Sequence, residues 1–248
     1  MLIEKPIRAT WGDFPDVLIF AEEGAVKRHP EYLAAKGGDV GAAKRLAADL
    51  ISAEAIASVA RLVVGRDAKL LPVHALEAGG VNRIPAAMAE LLGERMQLEV
   101  EERIVQANTV GHTGASGWAR LARPAVFDGE MASGRDYVLV DDFVGQGGTL
   151  ANRRGYALSG GAEVLGATAL TGKGYSAKLA LSPQTLHSLR DRYGKELESW
   201  WRQSFGYGFD KLTESEARYL LRAENAHTIR DRIAQARSEA KPRDCESG

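Results

Sequence analysis

The chain predicts an α/β fold: a mainly parallel sheet with helices on both faces, and extra helical segments at the N- and C-terminal ends. Three observations carry that reading. Short apolar runs alternate with helix-like stretches between residues 69 and 173, as strands joined by crossover helices do. One run, residues 137–140, leads through Asp141 and Asp142 into a Gly-rich turn and then a helix start. At 248 residues, 45% hydrophobic and 26% charged, the chain is long and apolar enough to bury a sizeable core.

Residues 1–68 read as a helical arm. His29-Pro30 breaks the chain, and Pro30 suits the first position of a helix. Gly37-Gly38 ends that short segment, and Asp39 is an N-cap candidate for a helix over 40–52. Ile56, Val59, Ala60, Val63 and Val64 then share one helical face, with Gly65 as a stop. The core, 69–173, opens with a strand over 70–76, in which Pro72 implies an edge or an early strand position. A Gly-containing turn over 77–83 precedes Pro85 and a helix over 86–96. Residues 97–105 alternate like a half-exposed strand, and 106–123 read as one long polar loop, a candidate lid. A strand over 138–140, a helix over 150–158 and a strand over 164–170 complete the alternation.

Residues 174–237 read as a C-terminal helical extension. Ser182-Pro183 opens a helix to about Tyr193, and a second helix carries Trp200, Trp201 and Phe205 at a spacing that fits core better than base stacking. Thr213-Glu214-Ser215-Glu216 has capping-box spacing and opens a long helix whose apolar side includes Ala217, Leu220, Leu221, Ile229 and Ile233. The polar tail 238–248 is read as disordered.

The formal net charge of −1 gives no general nucleic-acid footprint. Cys245, the single cysteine, offers neither a disulfide framework nor a cysteine metal site. His29, His74, His112, His187 and His227 include no pair at metal-ligand spacing. Residues 1–10 lack an apolar leader, and no run approaches ~18 apolar residues. A cytoplasmic protein with no membrane contact is expected.

The segment 137–150 carries the chemistry. Glycines let backbone N–H groups approach phosphate oxygens, and a helix N-terminus adds its positive dipole end. Two carboxylates suit vicinal hydroxyls or a hydrated magnesium ion. Residues 145–150 lack the last glycine of a dinucleotide fingerprint, and the acids precede the loop instead of following it. Residues 166–173 have one residue too many for a Walker A loop, and Gly174 stands where Ser or Thr is needed. An ordinary strand-to-helix connection with no ligand is the bland alternative.

The same segment resembles the PRPP-binding signature of the type I phosphoribosyltransferases, an apolar run and two acids before a loop that usually reads Thr-Gly-Gly-Thr. Asp141 and Asp142 match the acids, and Gly147, Gly148 and Thr149 match the loop's end. Gln146 departs from the pattern, standing where the family usually has Thr or Ser. The resemblance covers roughly residues 70–173. It implies that Asp141 and Asp142 hold the ribose hydroxyls and, through water, Mg2+, and that Gly145, Gln146, Gly147, Gly148 and Thr149 wrap the 5′-phosphate. It also implies a pyrophosphate loop at Ala78, Gly79 and Gly80 with Arg83, a closing loop at 106–123, and Lys173 as a weak counterpart of a base-reading lysine. Arg120 or Arg123 could arrive with the lid. His112 could shuttle a proton, although both it and His74 read more simply as polar side chains without a role in the chemistry.

The implied activity is displacement at ribose C1′. A nitrogen acceptor, usually a nucleobase, takes ribose 5-phosphate from PRPP, and pyrophosphate leaves. That would make the chain a transferase of nucleotide metabolism, working by positioning, charge compensation and water exclusion. A non-catalytic sensor of PRPP or a nucleotide on the same fold is the alternative. A different sugar-phosphate enzyme comes third, since no nucleophile is visible for it. The acceptor is not legible, and oligomeric state is open, homodimers being common in that family and among soluble proteins.

Overall fold

The structure is a computed structural model that describes residues 5–73, 76–77, 80–108 and 115–239. An extended segment that buries Arg8, Trp11, Phe14 and Val17 leads into β1 (Leu18–Ala21). Four helices follow: α1 (Glu23–Arg28), α2 (Tyr32–Lys36), α3 (Val40–Leu50) and α4 (Ala53–Leu62). The Asp39 side chain caps α3 by accepting from the Ala42 N–H at 2.8 Å. Ser52 caps α4 in the same way, so one periodic stretch of sequence makes two helices.

Then come β2 (Ala68–Pro72), the short antiparallel pair β3 (Leu76–Glu77) and β4 (Gly80–Val81), and α5 (Ile84–Met96). Next are β5 (Glu99–Val100), β6 (Val105–Gln106), α6 (Gly117–Ala122) and β7 (Phe127–Asp128), which pairs antiparallel with β6. The long strand β8 (Asp136–Val144), α7 (Gly148–Ser159) and β9 (Glu163–Gly172) finish the core. The chain ends in α8 (Pro183–Phe205), α9 (Glu214–Leu220) and α10 (Ala226–Ser238).

β1, β9, β8, β2 and β5, in that order, form one parallel sheet with helices on both faces. Along β8, Tyr137 and Leu139 pack with Leu150 and Ala151 of α7, while Val138 and Val140 pack with residues of α3 and α5. This two-sided burial is why the strand reads as a continuous apolar run. From β2 the chain crosses through α5 to β5 on one side, and from β8 it crosses through α7 to β9 on the other. Strand order therefore reverses between β2 and β8, and open parallel sheets bind ligands at the carboxyl ends of strands at such a point.

Several expectations are corrected by long-range contacts. The stretch 1–68 is not only helical, because β1 completes the sheet beside β9. β2 is an inner strand, and Pro72 is its last residue rather than an edge residue. Leu70 is in register with Val100, where β5 ends, so the missing Pro72 N–H falls beyond that neighbour. Residues 97–105 are split between β5 and β6, which belong to different sheets. Pro30 lies in the turn between α1 and α2 instead of opening a helix.

The 106–123 stretch contains α6, capped by Ser116 and packed into the C-terminal core with Leu121 and Ala122 buried. That half of the stretch is no lid. At Thr213 the capping box is present, but its helix stops at Leu220, and α10 restarts behind an Asn225 cap. Trp201 and Phe205 are core, their rings 4.2 Å apart at the centroids. Gly194 (φ 70°, ψ 178°) kinks α8 between its two predicted halves.

Candidate functional site

The Asp141-Asp142 pair lies inside β8 rather than at its end, since the strand runs on to Val144. β2 has stopped by then, with Pro72 opposite Val140, while β9 continues alongside, with Asp141 opposite Ala169. The two acids thus stand at the switch point with a strand partner on one side only. Successive strand residues face opposite sides of a sheet, which separates the two carboxylates. Asp141 lines a cavity of about 40 Å³ beside the Gly-rich loop. Asp142 turns to the other side, where Lys36 Nζ lies 3.2 Å from Asp142 Oδ2.

Both acids are largely buried, 7% and 9% exposed, so water offsets little of their charge. Burial pushes the Asp141 carboxyl well above the usual carboxylate range; the neighbouring Asp142 charge adds to that, and Lys36 opposes it. Asp141 Oδ1 also accepts the Asp142 N–H at 2.8 Å. Behind them α7 buries Arg153 completely, its Nη2 donating to the carbonyls of Pro72 and Ile104 at 2.7 and 2.8 Å. Burial pushes that guanidinium down to about 9, and Asp141 is the first of the charges opposing the shift. The group is still a cation at neutral pH.

The loop 145–147 joins β8 to α7. Gly147 sits at φ 77°, and a Cβ there would lie 2.2 Å from Leu179 Cδ2, so both backbone and space demand glycine. A Cβ on Gly148 would meet Glu216 Oε1 at 2.6 Å. The helix begins at Gly148, one residue before Thr149, and no side chain caps it. Among the described residues, nothing accepts from the N–H groups of Gln146, Gly147, Gly148 or Thr149. These donors at the start of a 12-residue helix suit an anion. Gln146 Oε1 is buried with no partner among the described residues, a cost a smaller hydroxyl would avoid.

A clamp from both chain ends holds the loop from behind. Thr213 Oγ1 donates to the Gln146 carbonyl at 2.5 Å while also accepting the Glu216 N–H at 3.0 Å. Glu216 forms a bidentate pair with Arg8, at 2.5 and 2.7 Å, and Arg8 Nε donates to Asn152 of α7 at 2.7 Å. Apart from the Thr213–Glu216 bond, which the capping-box spacing marks beforehand, none of these contacts is implied by local sequence.

On its other side the loop borders a cavity of about 400 Å³, lined among the described residues by Lys27, Arg120, Lys173 and Arg222 with Glu23 as the one acid, and by Phe143, Tyr175 and Tyr219. This volume fits a nucleotide-sized ligand, which the 40 Å³ space does not. Arg120 lines both spaces. Lys173 is here, but Glu23 holds it in an ion pair; hydrogen bonds from Lys173 and then Lys27 keep the Glu23 carboxyl below the usual range.

Other sequence-predicted residues are dispersed. Arg83 lies before α5 and donates its N–H to the Ala35 carbonyl at 3.2 Å; neither it nor Arg123, which follows α6, lines these two cavities. Gly80 is in β4. Ala78, Gly79, His74, His112 and Cys245 lie outside the described residues, as does part of the candidate lid.

Magnesium, which the family resemblance implies, does not fit the acids as they stand. Lys36 holds Asp142, and the Asp141 carboxyl is buried, pushed above the usual carboxylate range and engaged with a backbone N–H. Among the described residues no helix is long and apolar enough to cross a membrane.

The chain is 42% identical over 233 residues to Protein TraN of Escherichia coli, a match that spans 94% of this chain and 52% of that protein. It is 40% identical over 156 residues to an uncharacterized protein of Haemophilus influenzae, spanning 62% of this chain and 35% of the other. The chain thus spans about half or less of the curated relatives it matches. No family model matches it. Leishmania donovani UMP synthase aligns over 67% of this chain and 33% of its own, at TM-score 0.30 and 19% identity, too slight a likeness to support any conclusion. The expectation that this chain sorts with the transferases of nucleotide metabolism is therefore corrected: the named relative that matches nearly its whole length is Protein TraN, not a phosphoribosyltransferase.

Proposed function

We propose that the chain binds a phosphorylated pentose, PRPP or a nucleotide, at the switch point of its sheet, and senses it without turning it over. The observation that carries this reading is the row of N–H groups over Gln146–Thr149 that meet no acceptor among the described residues, at the mouth of α7 and beside Arg120. In this reading the phosphate sits on those donors, as in the PRPP signature the segment resembles, and the sugar hydroxyls reach the Asp141-Asp142 end of β8. The base or a further anionic group extends into the 400 Å³ cavity, where aromatic rings and cations meet.

Sensing is favoured over transfer because the N-terminal segment already engages two groups a transferase would use, Asp142 through Lys36 and Lys173 through Glu23. The test is calorimetry with PRPP, ribose 5-phosphate and nucleoside monophosphates, with pyrophosphate release followed in parallel over a panel of bases and amines. Saturable binding without pyrophosphate is expected, with binding lost when Asp141→Asn and Asp142→Asn are combined. Turnover with any acceptor would overturn the sensor reading, and unchanged affinity in the double variant would remove the acids from the site.

A further inference from the structure

We propose that this site takes a chain of linked phosphates, as in a nucleoside 5′-triphosphate: the first phosphate lies on the amides of the Gln146–Thr149 turn and the last in the 400 Å³ cavity. The pentose at the head of the chain rests on the binding reading above; the chain itself rests on the make-up of the cavity. The two spaces meet at the turn, since Arg120, Phe143, Gly145 and Gln146 line both. Beyond those shared residues, Lys27, Lys173 and Arg222 face Glu23 as the one acid among the described lining. Arg120 is not needed for this imbalance, its Nε donating to the Ala115 carbonyl at 3.3 Å. Lys27, at 2.6 Å, and Lys173 both pair with the Glu23 carboxylate, whose single charge neutralises only one of them. No acid among the described residues pairs with the Arg222 guanidinium.

The cations are mounted on a fixed frame. Arg222 is exposed, but its N–H donates to the Tyr219 carbonyl at 3.2 Å. The buried Tyr193 hydroxyl meets the Leu220 and Ala223 carbonyls on either side of it, at 2.7 and 2.8 Å. Lys173 comes from the sheet, its N–H donating to the Val144 carbonyl at 3.1 Å. Each phosphate in a chain adds negative charge, and a guanidinium and ammonium groups held in place suit its oxygens. A second phosphate on the ribose 2′ or 3′ oxygen would stand against the acids of β8 and be repelled. The 5′ oxygen is therefore the root of the chain, and a further anionic group rather than the base fills the cavity.

The test is calorimetry in EDTA, where the protein's own cations must carry the chain, with adenosine and uridine mono-, di- and triphosphates. Affinity is expected to rise with each phosphate, the triphosphates binding about tenfold tighter than the monophosphates with either base. Arg222→Gln should cost a triphosphate about tenfold and a monophosphate less than about twofold, and Arg222→Lys, which keeps the charge, should restore most of the loss. Glu23→Gln removes the acid of the cavity and should tighten the triphosphates alone, by about threefold. Triphosphates no tighter than monophosphates, or an equal loss for both in Arg222→Gln, would overturn the proposal. Ribose 5-phosphate and inorganic tripolyphosphate separate it from the pentose reading. Tripolyphosphate bound through Arg222, with ribose 5-phosphate not bound, would sink the pentose reading and keep the phosphate chain, now from an inorganic source. Ribose 5-phosphate bound, with no gain from added phosphates, would sink the chain and keep the pentose.

Discussion

Two regions meet at the Gln146-Gly147 turn and are built by different means. The strand, turn and helix over 136–159 are contiguous, and their form follows from neighbouring residues: an apolar run, a glycine at positive φ and a helix start. The clamp behind the turn gathers Arg8, Leu179, Thr213 and Glu216 from opposite ends of the chain. Local residues shape the first region. The second fixes how tightly it is held, and its buried ion pair makes it the more fragile of the two.

The largest expected effect breaks the clamp. Arg8→Ala leaves Glu216 buried without its partner, both side chains being less than 5% exposed. A loss of about 3–5 kcal/mol in urea unfolding is expected, with faster hydrogen exchange at the start of α7. A loss below 1 kcal/mol would mean that the chain ends do not support the turn.

Gly147→Ala strikes where the two regions touch. A methyl group must fit a left-handed backbone and displace Leu179, and about 2–4 kcal/mol of stability should go. Near-neutral stability would show that Leu179 yields freely.

Asp141→Asn separates the strand's own electrostatics from the clamp. The folded-state pKa of Asp141 lies above its ordinary 3.8, mainly through burial. The protonated acid is therefore the form the fold prefers, and stability is lost as pH rises through the folded pKa. The variant should melt higher than wild type near pH 7, and the advantage should shrink as pH falls from the folded pKa towards 3.8 and be gone below it. An advantage that persists unchanged in acid would point to a cause other than ionisation.

The smallest effects sharpen the comparison. Ser116→Ala removes the α6 cap, 3.2 Å from the Ala119 N–H, and should cost about 1 kcal/mol. No loss would mean that packing alone holds α6. Gln146→Thr removes a buried oxygen that has no partner among the described residues and should leave phosphate affinity equal or better by calorimetry. A marked loss would give the amide a role of its own.

Periodic signals located most of the elements, because strand and helix repeats are written in adjacent residues. The acid pair and glycine turn were legible for the same reason. The signals failed where a boundary depends on a distant partner. β1 is four residues in a helical context and is a strand because β9 lies beside it. α6 looked like loop, since its apolar face is short and is read only against α10 and the aromatic core. Lys36 could not be found at all: one lysine at a helix end has no sequence relation to an aspartate more than a hundred residues later.

By itself the sequence determined the alternation of strands and helices, the buried character of β8, and the need for glycine at the turn that follows it. Those are properties of backbone preference and local pattern. Only the tertiary structure decided that the two aspartates face different sides, that a lysine from the N-terminal helices meets one of them, and that the chain ends brace the turn. Charge and burial at a site are sums over neighbours in space, and most of those neighbours come from far along the chain.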